Sequence, residues 1–189
     1  MKHIALVVEG PGDREAVPVL LRKYLSETQQ YQVGVGNPWT TNGRANLLKE
    51  GELERYVRGV STVPEACAVL VVFDADDSQA CQLGPECLER AENETKLPVC
   101  VSLAVREFEN WIVASSESVF GTSSSLADPE GRGAKQAIRE ALAPQKYIKP
   151  VDQPRLTARI DFALARSACP SLDRFLQRVD HLVDCCGAP

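Results

Sequence analysis

VLVVFDADD, at residues 69–77, joins an apolar run that is rich in β-branched residues to three aspartates. A run of this length and composition is typical of a parallel strand that is buried on both faces of a sheet. The N-terminal run IALVVEGPGD, at residues 4–13, repeats the arrangement, with Glu9 directly after the apolar residues. Because open parallel sheets bind ligands beyond the carboxyl ends of their strands, both acidic segments fall where a binding site is expected.

The aspartates of the first run are Asp74, Asp76 and Asp77. Brought close to Glu9, they would repel one another unless they were protonated or bridged by a cation. Carboxylate oxygens with no cysteine or histidine nearby are the ligands that Mg²⁺ and Mn²⁺ prefer. We therefore expect Glu9, Asp74 and Asp76 to be catalytic, and these three together with Asp77 to bind Mg²⁺ or Mn²⁺. The alternative is that the aspartates only cap the helix that follows.

A third acidic motif, REFENW at residues 106–111, follows the next apolar run. Glu107 and Glu109 are expected at the same edge of the sheet, where either could complete a second metal site. The alternative for Glu107 is a favourable interaction with a helix N-terminus. Phe108 and Trp111 are three residues apart, and we expect both in the hydrophobic core.

Hydrophobic periodicity predicts alternating strands and helices as far as residue 115. The strands are expected at residues 3–8, 31–35, 66–73 and 99–105, and the helices at 14–27, 45–60 and 85–93 and from 107 onward. Asp13 is expected to be the N-cap of the first helix. This alternation predicts a Rossmann-like α/β fold, with a parallel sheet of about four strands and helices on both faces.

Beyond residue 115 the composition changes. Residues 116–133 are rich in Ser, Gly and Asp, which predicts a flexible loop. Residues 134–186 predict a helical C-terminal extension with helices at 134–142, 154–166 and 171–183. We expect this extension to pack on the core formed by residues 1–115, so that the chain is a single domain.

Charge is unevenly distributed along the 189 residues, whose net charge is −5. Residues 132–178 contain ten Lys and Arg against four Asp and Glu, a net charge of +6. A basic surface beside an acidic site suits contacts with nucleic-acid phosphates. The predicted nucleic-acid contacts are Arg14, Arg106, Lys135, Lys146, Lys149 and Arg155. The alternative is that these side chains are ordinary solvated charges.

The seven cysteines are odd in number and include no CxxC pair. We expect them to be reduced and mostly buried thiols in a cytoplasmic protein. With only two histidines, Ser-His-Asp or Cys-His catalysis is not favoured. The chain shows neither a signal-peptide pattern nor a stretch of membrane-spanning length.

The order of these motifs resembles that of the Toprim domain, a fold shared by primases, topoisomerases and OLD-type nucleases. Glu9-Gly10 follows the first predicted strand, and the Asp-x-Asp pair of Asp74 and Asp76 follows the third. Most of the chain resembles a small bacterial Toprim-like family of unknown function. The motifs that carry this second resemblance are residues 8–10, 73–77, 106–112, 147–149 and 170–175.

The resemblance implies roles for individual residues. Glu9 would be the general acid/base or a metal ligand, Asp74 and Asp76 would bind Mg²⁺, and Glu107 or Glu109 would serve a second metal. It also implies a place in an anti-phage or toxin-like system, with an ATPase as a possible partner protein.

Three functions remain open from the sequence. The first is a metal-dependent nuclease whose basic C-terminal surface binds DNA or RNA. The second is a non-catalytic module that binds a metal or a partner protein. The third is a phosphatase or phosphotransferase with an aspartate nucleophile, although such folds normally carry that nucleophile on the first strand, where this chain has Glu9.

Overall fold

The computed structural model describes residues 1–122 and 124–187. At its centre lies a five-stranded sheet in which every pairing is parallel. The strands are β1 (His3–Val8), β2 (Gly34–Val35), β3 (Trp39–Thr40), β4 (Ala66–Asp74) and β5 (Val99–Ala104). Their order is β2-β1-β4-β5, and β3 pairs with the C-terminal end of β1. The predicted α/β fold with a parallel sheet is confirmed.

Helices connect and follow the strands. Those up to β5 are α1 (Pro11–Glu27), α2 (Arg44–Leu48), α3 (Glu52–Ser61) and α4 (Ala80–Glu92). Those after β5 are α5 (Glu109–Val113), α6 (Ser116–Phe120), α7 (Ala134–Ala141), α8 (Lys149–Thr157), α9 (Phe162–Ala168) and α10 (Pro170–Gly187).

Alternating side chains of the central strands build two separate cores. On β4, Leu70 and Val72 point into the larger core, which α1, α5 and α8 to α10 help to form. Val71 and Phe73 point into the smaller core, with α3 and α4. This alternation follows from the two-residue period of a strand, and it explains why β4 is apolar throughout.

The first helix begins earlier than expected. α1 starts at Pro11, where proline is well tolerated because the first helical residue needs no intrahelical N–H partner. Asp13 is therefore the third helical residue, and the prediction that it is the N-cap is wrong. Its Oδ2 accepts a hydrogen bond of 3.1 Å from the Gly10 N–H, which ties the end of β1 to the first turn of α1.

The edge of the sheet differs from the predicted strand at residues 31–35. Only Gly34 and Val35 pair there with β1, while Tyr31 is exposed. A second short strand, Trp39–Thr40, was not predicted. Pro38 lies between the two strands and has no backbone N–H to donate, which favours an interrupted edge over one continuous strand.

Several helix boundaries differ from the predicted ones. The helix predicted at residues 45–60 is two helices, because Gly51 adopts a left-handed conformation with φ of 80° and caps α3. The helix predicted at 154–166 is also two, because the Asp161 side chain caps a new helix, α9. The helix predicted from Pro85 begins at Ala80, and the one predicted near Glu107 begins at Glu109.

The segment predicted as a flexible loop, residues 116–133, starts with a helix. Residues 116–120 form α6, which ends at Gly121 in a left-handed conformation. Ser123, within the same predicted loop, lies outside the described residues.

The C-terminal helices pack directly on the sheet and its neighbours. α10 contacts β4 and β5, and α8 lies along α1. Trp111 and Phe108 are buried, as predicted, and the Trp111 ring lies 4.8 Å from that of Phe175 on α10. The Trp111 indole N–H donates a hydrogen bond of 3.0 Å to Ser171 Oγ at the start of α10.

A disulfide joins Cys67, at the beginning of β4, to Cys186, at the end of α10. The prediction that all cysteines are reduced is wrong for this pair, because the fold brings together two residues that are 119 positions apart. Of the free thiols, Cys81 is exposed and Cys87, Cys100 and Cys169 are buried. None of the described helices combines the length and apolar composition that a membrane crossing requires.

Candidate functional site

Two of the predicted carboxylates meet at the carboxyl edge of the sheet. Val8 of β1 is in register with Val72 of β4, so Glu9, directly after β1, lies at nearly the same level as Asp74, the last residue of β4. The Asp74 N–H donates a hydrogen bond of 3.2 Å to Glu9 Oε2. The Phe108 N–H, from the segment after β5, donates one of 2.8 Å to Asp74 Oδ1. Three strand ends therefore hold this carboxylate pair in place.

Lys149 of α8 reaches the same point. Its Nζ lies 3.5 Å from Asp13 Oδ1 and 3.9 Å from Asp74 Oδ2. Burial by itself would lower the pKa of Lys149, but the charges of Glu109, Asp13, Asp74 and Glu9 outweigh it and raise the pKa above its usual value. We refer to these four carboxylates as the acidic cluster. A single ammonium group therefore interacts electrostatically with four carboxylates.

Glu109 is fully buried within the acidic cluster. The Tyr147 hydroxyl donates a hydrogen bond of 3.0 Å to its Oε1, and burial together with the Glu109 charge raises the pKa of Tyr147. Glu109 Oε2 has no hydrogen-bond partner within residues 1–122 and 124–187. A buried carboxylate oxygen of this kind is costly unless a cation or a proton comes to it.

Three acids of the cluster have a raised pKa. Burial is the main cause for Glu9, Asp13 and Asp74, and repulsion between neighbouring carboxylates adds to it. The pKa of Asp74 lies well above its ordinary value. Carboxylates that are buried together in this way favour the uptake of a proton or a cation.

Gly12 makes the approach of Lys149 possible. A Cβ atom at this position would lie 2.5 Å from Gln153 Oε1 and 2.6 Å from Lys149 Cγ, closer than non-bonded atoms can pack. Its absence lets α8 lie against the first turn of α1. Gln153 is fully buried, and neither polar atom of its side chain has a hydrogen-bond partner in the described part of the chain.

Asp13, Tyr147 and Gln153 were not predicted as site residues. Asp13 follows a glycine-rich turn beside Glu9, a pattern that predicts a helix cap. Residues 147–149 carry part of the resemblance, but no local pattern indicates that Tyr147 contacts Glu109 or that Gln153 lies against Gly12, because both contacts join residues far apart in the sequence.

The two predicted metal ligands that follow β4 are largely exposed to solvent. The side chains of Asp76 and Asp77 are 60% and 68% exposed. Asp76 lies 3.8 Å from Arg44, and Asp77 forms ion pairs with Arg106 and Arg132. Among the described residues no group of three or more His, Cys, Asp and Glu side chains is arranged closely enough to hold a metal ion.

The chemistry of the donors nevertheless fits a hard divalent cation. Asp13 Oδ1 and Glu109 Oε2 are buried oxygens without a hydrogen bond in the described structure, and Lys149 offsets only part of the cluster's negative charge. Oxygens of this type are the preferred ligands of Mg²⁺ and Mn²⁺. A full ligand set would require a further carboxylate to turn toward these oxygens, and Asp76 is the exposed one nearest along the chain to Asp74.

Beside the acidic cluster lies a pocket of about 250 Å³, which we call the arginine pocket. It is lined by Asp76, Asp77, Arg106, Glu107, Arg132 and Gly133. Glu107, predicted as a second metal ligand, accepts a hydrogen bond of 2.8 Å from the Lys135 N–H at the start of α7. Burial raises the pKa of Glu107, and the nearby charge of Glu109 adds to the effect.

The predicted nucleic-acid contacts fall in different surroundings. Arg106 lines the arginine pocket, and Lys149 faces carboxylates. Lys135 is half-buried near Glu107. The remaining three, Arg14, Lys146 and Arg155, are exposed, and Arg155 pairs with Asp152 at 2.8 Å.

Comparison with known proteins places the chain in one family. No curated protein and no solved structure matches it. The family described as a domain of unknown function, DUF4276, matches residues 8–180, a span that contains the whole acidic cluster, Lys149 and the arginine pocket. Because this match extends over most of the chain, the protein belongs to the DUF4276 family.

Proposed function

We propose that the protein is a metal-dependent phosphodiester hydrolase, a nuclease of Toprim type that uses Mg²⁺ or Mn²⁺. The observation that carries the proposal is the contact between Glu9 and Asp74 at the carboxyl ends of two adjacent parallel strands. Burial and the neighbouring carboxylates raise the pKa of both carboxyl groups, which favours the uptake of a cation or a proton.

Each acid has a distinct part in this proposal. Asp74 would hold the cation, with Asp76 completing the set. When bound, the cation would polarise the scissile phosphate and activate a water molecule. The Phe108 N–H fixes one oxygen of Asp74 and leaves its Oδ2 facing Lys149. Glu9, which is only half-buried, is the candidate general acid/base.

The proposal also includes a second metal, for which either Glu109 or Glu107 would be the ligand. Glu109 contributes the partnerless Oε2, whereas the Oε1 of Glu107 is engaged by the Lys135 N–H. We therefore favour Glu109 over Glu107 as the further ligand.

The substrate that we propose is DNA or RNA. The basic character of residues 132–178, beside a cluster of opposite charge, supports a surface that binds phosphates next to the acids. An ATPase partner and a role in phage defence are expectations that rest on the resemblance of the motifs alone. The cytoplasmic location is an expectation from the cysteine pattern, and the Cys67–Cys186 disulfide does not support it.

The test is a cleavage assay on labelled single-stranded and double-stranded DNA and RNA, with Mg²⁺, Mn²⁺ or EDTA. We expect cleavage only with metal, and a loss of at least about 100-fold in Glu9→Gln and Asp74→Asn. Glu54→Gln is the matched control. Glu54 lies on α3 and pairs with Arg90 of α4, outside the acidic cluster, so its substitution should leave the rate unchanged. Cleavage in EDTA, or full activity in both site variants, would exclude the proposal.

A second candidate is a non-catalytic module that binds a metal or a basic partner group. The observation that favours it is Lys149, since a basic side chain already occupies part of the acidic cluster. Calorimetry with Mn²⁺ separates the two functions. Binding that needs Asp74, combined with no cleavage of any of the four substrates, would support the module.

A further inference from the structure

We infer that the arginine pocket is a phosphate subsite for a nucleic-acid strand, with Arg106 and Arg132 as its binding groups and Asp77 as an internal occupant that the phosphate displaces. This inference rests on the proposed function and deepens it, because it assigns the position of one substrate phosphate relative to the acids.

Two guanidinium groups converge on a single carboxylate oxygen in this pocket. Arg106 Nη1 lies 2.7 Å from Asp77 Oδ1, and Arg132 Nη2 bonds to the same oxygen. Two positive charges therefore share the Asp77 carboxylate, while the other two acids of the lining have partners of their own: Asp76 lies 3.8 Å from Arg44, and Glu107 accepts the Lys135 N–H. Guanidinium forks match the oxygens of a phosphate as well as those of a carboxylate, and a phosphate offers more acceptor oxygens.

One side of the pocket is held firmly. Arg106 and Asp76 both have left-handed backbones, with φ of 68° and 48°, which non-glycine residues adopt only where the surroundings hold them. The Asp76 N–H donates to the Arg106 carbonyl at 2.9 Å, and Arg106 Nη1 donates to the Asp76 carbonyl at 3.1 Å. These bonds fix the Arg106 guanidinium beside the end of β4.

On the other side of the pocket, the ion pair between Asp77 and Arg132 can open easily. The side chains of Asp77 and Arg132 are 68% and 74% exposed. An ion pair between exposed side chains adds little net stability, since water solvates both charges when it opens. A phosphate can therefore take the place of Asp77 at small cost, and Arg132 can follow it.

The arginine pocket lies next to the acids that are proposed to bind the metal. Asp76 and Glu107 line it, and each is close in sequence to a member of the acidic cluster, Asp74 and Glu109 respectively. Gly133, at the N-cap of α7, also lines it, and the first turn of α7 contains no acidic residue. At this helix N-terminus the Lys135 N–H already donates to Glu107 Oε1, so the helix end neutralises part of the charge of that carboxylate at the edge of the pocket. A phosphate held there would lie beside the acids proposed to bind the metal.

The experiment measures binding in EDTA, so that no cleavage occurs, by fluorescence anisotropy of short single-stranded DNA and RNA oligonucleotides over a salt series. For Arg132→Gln we expect roughly 10-fold weaker binding and a salt slope smaller by about 0.7, the value for one lost phosphate contact on a single strand. For Asp77→Asn we expect tighter binding, by roughly threefold, because the internal competitor is neutralised.

Arg58→Gln is the matched control, since Arg58 is also an exposed arginine in an ion pair, with Glu94, and lies on α3 away from the pocket. Binding that Arg132→Gln and Asp77→Asn leave unchanged, or that Arg58→Gln weakens equally, would overturn the inference. So would Arg132-dependent binding of inorganic phosphate without any binding of the oligonucleotides. Because metal is absent, a failed cleavage assay leaves this result intact, and the two failures are distinguishable.

Discussion

Asp74 accepts the Phe108 amide through one oxygen and faces Lys149 with the other. Its surroundings thus stabilise the charge locally, but burial and three neighbouring carboxylates oppose it more strongly and raise its pKa. The balance at this one residue governs whether the site holds a proton or a cation. It can be tested through stability, because an altered pKa is also a difference in proton binding between the folded and unfolded states.

The metal-free protein is expected to lose stability as the pH rises through the raised pKa values of Asp74, Glu9 and Asp13. A carboxyl group whose pKa is higher in the folded state binds more protons there, so the free energy of unfolding falls from the unfolded pKa of about 4 upward. The measurement is urea denaturation in EDTA at a series of pH values. Asp74→Asn should show a shallower fall than the wild type.

What decides the result is the difference in pH dependence between the wild type and Asp74→Asn. Glu54, whose pKa is lowered by a hydrogen bond from Arg90, contributes in the opposite direction, but it does so equally in both. Identical pH slopes in wild type and Asp74→Asn would show that Asp74 does not have a raised pKa.

Lys149→Met is expected to destabilise the metal-free protein by about 3 kcal/mol, because it leaves buried carboxylates without their counter-ion. Addition of Mn²⁺ should then stabilise the variant more than it stabilises the wild type. Both effects are measured by urea denaturation with and without Mn²⁺. Lys96→Met, at an exposed lysine, is the control and should change little. An equal response to Mn²⁺ in both proteins would contradict a role for Lys149 as counter-ion.

At the scale of elements, the site depends on how closely α8 approaches α1. α1 begins at the end of β1 and carries Asp13, while α8 brings Lys149 and Gln153 from the opposite part of the sequence. The two helices meet at Gly12, where a side chain of any size would separate them. The acidic residues come from strand ends, but their counter-ion comes from helix packing.

Gly12→Ala is expected to destabilise the protein by about 1 to 3 kcal/mol, since the new methyl group would overlap Gln153 and Lys149. Gly84→Ala is the control: its Cβ would have ordinary contact with Leu103 at 3.6 Å, and alanine favours a helix. Thermal or urea unfolding of both variants is the measurement. If Gly12→Ala were as stable as Gly84→Ala, the close approach of α8 would not be needed.

For the whole molecule, the disulfide and the candidate site lie at opposite ends of β4. Cys67 is near the start of the strand and Asp74 is its last residue. The Cys67–Cys186 bond, supported by a hydrogen bond of 3.0 Å from Lys2 Nζ to the Cys186 carbonyl, anchors the end of α10. It should therefore affect global stability without altering the chemistry at the other end.

Cys67→Ser is expected to lower the free energy of unfolding by about 2 to 5 kcal/mol, because the bond closes a long loop in the unfolded chain. Cys81→Ser, at an exposed free thiol, should have little effect. Urea denaturation with and without a reductant is the measurement. A wild-type protein whose stability does not respond to the reductant would contradict a stabilising disulfide. Mn²⁺ binding should be the same in both variants under conditions where they are folded.

Local pattern accounts for much of the fold. The buried strands β1, β4 and β5 were predictable because long apolar runs are constrained by burial on both faces, whereas the short pairings of β2 and β3 depend on what lies beside them. Helix boundaries shifted where a single residue, such as Gly51 or Asp161, changed the backbone conformation or capped a new helix.

The amino-acid sequence by itself determined the parallel sheet and placed Glu9 and Asp74 at its carboxyl edge, because parallel strands that are buried on both faces bring the residues at their ends to one edge. Only the tertiary structure decided that Lys149 faces the acids, that Asp77 faces two arginines, and that Cys67 meets Cys186. The physical reason is that these contacts join segments distant in sequence. Side-chain packing between helices and sheet selects them, and no periodic pattern in the sequence predicts such packing.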